Sequence, residues 1–266
     1  NLEAVYFSNL LTTINNEAFK NSHLLSLVLN SSFSSFGQRV FFDSSINFID
    51  LSATILSTIN NNCFENTINL QSMYLPNTLT NINNEAFMGS AINNLTIPGS
   101  VSNIGDRAFS NSKINYIDLS NCSITKINRE CFQYTISLET IHLPTSLDNW
   151  AVDSLAFYYS GIERIIFPSC NLKRVQGDSF RYSNINYVDF SATNLEVVNG
   201  FRDTSNLQTV ILPSTISWVD SDAFESSSIP TIHLPDNTND IRWRAFQNSK
   251  LVTLDLSNTA ITQIRD

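Results

Sequence analysis

LPNTLTNINNEAFMGSAINNLTIPGSVSNIGDRAFSNSKI, running from Leu75 to Ile114, contains one pattern twice. LPNTLTNINNEAF and IPGSVSNIGDRAF align residue for residue, and each is followed by Ser before the next apolar phrase. That phrase has the form L-x-x-L-x-L. Its first positions are Leu2, Leu24, Ile46, Leu70, Ile92, Ile114, Leu138, Ile162, Ile185, Leu207, Ile229 and Leu251, in steps of 22 to 24 residues. A fixed period of this size means stacked coils rather than an ordinary globular core. The last two apolar residues of each phrase flank a polar one, as Ile117 and Leu119 flank Asp118, which is the period of a strand with one buried face.

A second signature follows each strand: Ile14 with Ala18 and Phe19, Ile82 with Ala86 and Phe87, Ile104 with Ala108 and Phe109, Ile241 with Ala245 and Phe246. The phenylalanine is expected to plug the wall opposite the strand. One coil holds too few apolar residues to offset its ordering entropy, but stacking at about 4.8 Å merges the interiors into one core. The phrases IDLS, IDLS, VDFS and LDLS, at Asp50, Asp118, Asp189 and Asp255, add a three-coil period of 66 to 71 residues. Two coils break step: SLDNWAVDSLAF carries two extra residues near Trp150, and EVVNGFRDTSN is short around Gly200, so local bulges are expected there. The chain opens on a repeat at Leu2 and stops inside one at Asp266 without a polar cap, which predicts a piece of a longer array. The expected organisation is one repeat domain over residues 1–266.

Composition agrees with a turn-rich solenoid: 34 Asn and 36 Ser stand against 7 Gly, and 18 Phe supply the core. Net charge is −9 and the 15 Lys and Arg are scattered, so no basic stripe exists to follow a phosphate backbone, and a nucleic-acid partner is not expected. No apolar run approaches the roughly 18 residues that span a bilayer, so this segment is not expected to insert into a membrane.

The pattern L-x-x-I-x-L-P, a small polar residue, Ile, then Ala-Phe with Asn-Ser resembles the BspA-like leucine-rich repeats, also named after treponemal surface proteins. The resemblance covers the whole chain. It implies a leucine-rich-repeat solenoid of the α/β type, a horseshoe or arc of about twelve coils with a parallel sheet on one face and short helical or 3-10 turns and loops on the other. It further implies a surface or secreted protein of bacteria or anaerobic protist parasites, implicated in adhesion to host matrix and cells. The Asn-rich usage, with Ser or Thr where many relatives carry Cys, places the chain nearer protist members. Leucine-rich repeats put an Asn or Cys ladder three residues past the strand. Here that slot holds Ser32, Thr54, Thr78, Ser100, Cys122, Ser146, Cys170, Thr193, Thr215, Asn237 and Thr259. A buried polar group there is expected to bond the turn backbone of its own and the next coil.

No cofactor or metal site is expected. Cys63 and Cys131 share the slot before the phenylalanine three coils apart, about 14 Å, while Cys122 and Cys170 share the ladder slot two coils apart, about 10 Å. Disulfides need Cα atoms within roughly 7 Å, so four free thiols are expected. His23, His142 and His233 are too dispersed for zinc. G-x-S-x-G, H-E-x-x-H and phosphate-loop motifs are missing from the sequence, so catalysis is not expected. Sequons occur at Asn30, Asn94 and Asn121, near chance for so Asn-rich a chain.

Alternation places Asp50, Tyr74, Asp118, His142, Asp189, His233 and Asp255 in the outward centre row of the sheet, with Tyr6, Val28, Thr96, Ile166 and Ile211. Phe48, Tyr116 and Tyr187 each lie two residues before an Asp. An exposed aromatic beside a carboxylate offers rigid contact area and a charge to a protein partner; the competing reading is that these rings only pack along their own sheet. The expected function is protein binding through the strand face by a cell-surface or secreted adhesin whose partner is a host matrix or cell-surface protein. An intracellular, cytoplasmic scaffold and a structural spacer are the alternatives. Oligomeric state is left open by the sequence.

Overall fold

The computed structural model describes residues 5–265, so the first phrase, starting at Leu2, begins outside the described residues. The strands in chain order are β1 (Thr13–Ile14), β2 (Ser26–Val28), β3 (Ser35–Phe36), β4 (Phe48–Asp50), β5 (Thr58–Ile59), β6 (Ser72–Tyr74) and β7 (Asn81–Ile82). Then come β8 (Asn94–Thr96), β9 (Asn103–Ile104), β10 (Tyr116–Asp118), β11 (Thr140–His142), β12 (Arg164–Ile166) and β13 (Tyr187–Asp189). The last are β14 (Val197–Val198), β15 (Thr209–Ile211), β16 (Trp218–Val219), β17 (Thr231–His233), β18 (Asp240–Ile241) and β19 (Thr253–Asp255).

These form two parallel walls. Three-residue strands, centred on Leu27, Ile49, Met73 and their equivalents, make the front wall, with the middle residue turned into the core. Two-residue strands ending on Ile59, Ile82, Ile104 and Val219 make a side wall, which isolated bridges continue through Ile127, Val152 and Val175. Alternation in the sequence therefore becomes a continuous buried column, because each strand can bury only one face.

The third wall carries the Ala-Phe signature. Eleven phenylalanine rings, Phe19, Phe41, Phe64, Phe87, Phe109, Phe132, Phe157, Phe180, Phe201, Phe224 and Phe246, stack in file at 5.1–5.6 Å with interplanar angles of 10° or less. Among the described residues there is no helix on this wall; the turns are single ones closed by i→i−3 bonds, as from Ala86 N–H to Asn83 O at 3.3 Å and Met88 N–H to Glu85 O at 3.2 Å. The backbone enters the left-handed region two residues before and two residues after the phenylalanine, as at Glu85 and Gly89 around Phe87 or Arg107 and Asn111 around Phe109. Alternate N–H groups then point at the next coil. Arg107, Phe109 and Asn111 donate to the carbonyls of Arg129, Cys131 and Gln133 at 3.0, 3.0 and 2.7 Å. A helical turn would direct those donors back along its own chain, so the repeat gains an intercoil ladder by giving up the helix.

The ladder slot behaves differently from the expectation in one respect. Its hydroxyls bond the coil before rather than the coil after: Thr78 Oγ1 donates to the Leu56 carbonyl at 2.9 Å, Ser100 Oγ to Leu79 at 2.6 Å and Ser146 Oγ to Ile124 at 2.6 Å. In the Asp coils the bond stays local, with Thr54 Oγ1 donating to Leu51 O at 2.7 Å and Thr193 Oγ1 to Phe190 O at 2.8 Å.

Both irregular coils are absorbed locally. The extra residues leave Trp150 exposed, the Asn149 carbonyl takes N–H bonds from Lys173 and Arg174 at 3.1 and 3.0 Å, and Val152 is back in register with Ile127 and Val175. The short coil turns through Gly200 at φ 98°, where a Cβ would lie 3.1 Å from Val175 Cγ1 and 3.2 Å from the Gln176 carbonyl. Only glycine suits both that φ and that approach. Beyond it, buried Asp220 ties the side wall together by accepting from Arg242 at 3.0 Å and pairing with Arg174.

Candidate functional site

The three-coil period has a structural counterpart on the front wall. Hydrogen-bonded ladders join β2-β4-β6, β8-β10-β11, β12-β13-β15 and β17-β19, so β4, β10 and β13, which carry Asp50, Asp118 and Asp189, are the central strands of their triplets. Among the described residues no ladder joins β6 to β8, β11 to β12 or β15 to β17. Each of these joints brings together two coils whose strand runs into proline: Pro76 and Pro98, Pro144 and Pro168, Pro213 and Pro235. Proline fixes φ at the strand exit on both sides of each joint, where the Asp coils have Ser instead. Shallow grooves open at two joints, one lined by Ser72, Tyr74, Asn94, Thr96 and Pro98, the other by Glu139, His142, Arg164, Ile166 and Pro168.

Side chains from the outward rows gather along the front wall in separate groups. Phe48 meets Tyr74 edge to face at 5.8 Å, with Asp50 in register beside Tyr74. Tyr116 meets His142 edge to face at 5.7 Å, and His142 Nδ1 lies 3.8 Å from Asp118 Oδ2. Tyr187 donates its hydroxyl to Asp189 Oδ2 at 3.4 Å, while the Arg164 guanidinium sits 3.7 Å over the Tyr187 ring. His233 and Asp255 form a fourth pair in register on β17 and β19. The second and third groups flank the β11–β12 groove, and between them Ile166 stands 52% exposed. This gives four adjacent coils that present aromatic, apolar, acidic and basic side chains on one surface. The Phe48 and His233 groups lie further along the same face and join no common site.

The aspartates have a local task that the sequence reading missed. Asp50, Asp118, Asp189 and Asp255 each accept the backbone N–H of the Ser two residues on, at 2.9, 2.9, 2.8 and 2.9 Å. Bonds from Ser120 hold the Asp118 carboxyl below the usual carboxylate range, with the nearby His142 adding to the effect; Ser257 does the same for Asp255. The D-x-S spacing, which closes an Asx turn, was the available signal. Arg164 was missed because it occupies the row of Phe48, Tyr116 and Tyr187, which was read for aromatics alone. A cluster of Tyr134, Tyr158, Tyr159 and Tyr182 on the third wall was missed as well.

The remaining candidates are placed as follows. Cys63, Cys122, Cys131 and Cys170 are buried and unpaired. Burial pushes the Cys63 and Cys131 thiols far up and Cys122 up to about 11, so none is a thiolate at neutral pH. Among the described residues no group of three His, Cys, Asp or Glu could hold a metal ion, and no helix is long and apolar enough to cross a membrane. Asn94 lies outward on β8 within the front wall. Asn121 is exposed in the turn after β10. Asn30 is engaged, donating to Ser8 O at 3.1 Å and accepting from Ser32 N at 2.8 Å.

The family model of the BspA type leucine rich repeat region matches in six copies, over residues 1–115, 57–186 and 197–266. The chain belongs to this family. Leucine-rich repeats of this kind are a protein-binding module family. No curated protein matches the chain in sequence. Among solved structures, a leucine-rich repeat protein from Bacteroides ovatus is similar at 22% identity and TM-score 0.52, over 87% of this chain and 72% of that one. Another, from Eubacterium ventriosum, is 17% identical with TM-score 0.49 over 93% and 70%. A leucine rich cell surface protein from Faecalibacterium prausnitzii is 16% identical with TM-score 0.36 over 96% and 82%. At these identities the Bacteroides structure speaks for the fold alone.

Proposed function

We propose that this BspA-type array is a surface adhesin that grips a host matrix or cell-surface protein with its front wall, centred on the β11–β12 groove. The observation that carries this reading is the juxtaposition of Tyr116, Asp118, His142, Arg164, Ile166 and Tyr187 around one open joint. Aromatic anchors beside a shallow apolar floor and mixed charge are what a protein hot spot requires. The family's association with adhesion supports the setting. Acidic groups recur along the face, so a partner with basic residues would associate faster at low salt.

The test is binding of the purified chain to host cells and to immobilised matrix proteins across a salt series, beside a Tyr116→Ala, Asp118→Asn double variant. Asparagine keeps an acceptor for Ser120 N, so the turn survives while the charge is removed. Saturable binding that the variant loses and salt weakens is the expected result. Folded protein that binds nothing, or a variant with unchanged affinity, removes this face from consideration.

A further inference from the structure

The third wall holds an aromatic ridge that departs from the residue types its slot carries elsewhere. The residue two places after each stacked phenylalanine is left-handed, and eight coils fill that slot with Asn21, Asp43, Asn66, Gly89, Asn111, Asp203, Ser226 and Asn248, residue types that are short and polar or lack a side chain. Three consecutive coils use tyrosine there instead: Tyr134, Tyr159 and Tyr182, at φ 57°, 53° and 58°. Asn and Asp suit this region because they bond locally, and Gly because it lacks a Cβ, so tyrosine forgoes that advantage in three turns in a row; the wall's other left-handed slot carries long side chains too, such as Arg107 and Leu155. A departure from a slot's usual residue type that packing does not require is a reason to look for a surface role. The core does not need them, because Phe132, Phe157 and Phe180 already fill it and the tyrosines are 44%, 43% and 37% exposed.

The rings form one surface. Tyr134 stacks on Tyr159 at 5.6 Å and Tyr159 meets Tyr182 at 4.8 Å with the rings tilted by 35°, while Tyr158 meets all three edge to face at 5.7, 5.0 and 5.7 Å. Among the described residues the hydroxyls of Tyr134, Tyr158 and Tyr159 have no protein partner, whereas Tyr182 accepts a bond from Arg181 at 3.1 Å. The Arg181 charge is itself met by Asp203 at 2.9 Å, so the ridge is close to neutral.

We propose that this ridge binds a proline-rich, extended segment of another protein. Four partly exposed tyrosines offer a few hundred Å², well under the roughly 800 Å² per partner of a stable interface between folded surfaces, which excludes a second copy held by this patch alone and fits a short peptide. Tyr134 and Tyr182 are two coil steps apart, about 10 Å, and one turn of polyproline II advances about 9 Å. Prolines at i and i+3 therefore meet the two outer rings, and the free phenols donate to backbone carbonyls that this helix leaves unbonded. The ridge lies away from the front wall, so the inference stands independently of the adhesin reading.

The probe is a fluorescein-labelled ten-residue polyproline peptide titrated with the whole chain by anisotropy, beside a Gly-Ser peptide of equal length. The test variant is Tyr134→Asn, Tyr159→Asn, Tyr182→Asn, which restores the residue the slot carries elsewhere and is expected to melt no lower than the parent. Saturable binding of polyproline alone, weakened about tenfold or more in the triple variant and less in Tyr159→Phe, is the expected result. The inference is overturned by absent binding, by equal binding of Gly-Ser, by retained binding in the triple variant, or by a fall in that variant's melting temperature that shows the ridge to be structural. Tyrosine-dependent dimers in sedimentation would overturn it in favour of a second copy.

Discussion

Replacing Phe109 by alanine should divide the solenoid in two. The ring is fully buried, between Phe87 at 5.3 Å and Phe132 at 5.6 Å, each within 6° of parallel. Truncating a core phenylalanine costs about 3–5 kcal/mol, and two stacking partners place this site near the upper end, about 5 kcal/mol. In a stack whose coils touch only their neighbours, that loss falls on the interfaces with coils four and six rather than on the whole chain. The three tryptophans, Trp150, Trp218 and Trp243, all lie C-terminal to the lesion. Urea unfolding followed by tryptophan fluorescence therefore reports one side, while far-ultraviolet circular dichroism reports both. Parent protein should show coincident transitions, and Phe109→Ala should show dichroism falling before fluorescence. Phe246→Ala, at a half-buried ring with one stacking neighbour, should cost about 1–2 kcal/mol and leave the probes together. A Phe109→Ala midpoint within about 0.5 kcal/mol of the parent, or probes that shift together by the full amount, would refute nearest-neighbour stacking.

Cys131→Ala should be nearly neutral, within about 1 kcal/mol by chemical denaturation, because the same buried slot holds alanine at Ala86, Ala108 and Ala156. Thiol labelling at pH 8 should be slow for Cys63 and Cys131 until urea exposes them, since burial raises both thiols. Asp118 has a folded pKa below its unfolded value of about 3.9, so its contribution is present above that value and is lost as pH falls through the folded one. Stability measured from pH 5 down to 2 should fall less steeply in Asp118→Asn than in the parent. Asp220→Ala should cost about 2 kcal/mol by removing the shared partner of Arg174 and Arg242, read from the urea midpoint.

Much of this architecture was legible because the repeat writes its core directly: Ile117 and Leu119 around Asp118 give the front wall, and Phe109 after Ile104 gives its opposite. The turn wall was not legible. Asn, Ser and Ala-Phe suit a 3-10 turn and a left-handed one alike, and what decides is that the N–H groups of Arg107, Phe109 and Asn111 find acceptors in the next coil. The three-coil period was visible in the Asp phrases, but its meaning was not, since the joints are set by which neighbouring strands hydrogen-bond. Asp118 looked like a binding group because outward exposure is readable from alternation, whereas its bond to Ser120 is a local feature that the D-x-S spacing alone encodes. Tyr134, Tyr159 and Tyr182 escaped notice because their significance lies in a positive φ that no residue type states.

The front wall as the binding surface is the central claim, and contact mapping with a bound partner tests it most directly. A photoreactive amino acid placed at Ile166, beside the β11–β12 groove, is compared with one at Ser102, which is exposed outside the front strands. Illumination of the chain bound to a matrix protein or cell surface should crosslink from position 166 and not from 102. Crosslinking from 102 with none from 166 would contradict the account and move the binding surface to another wall.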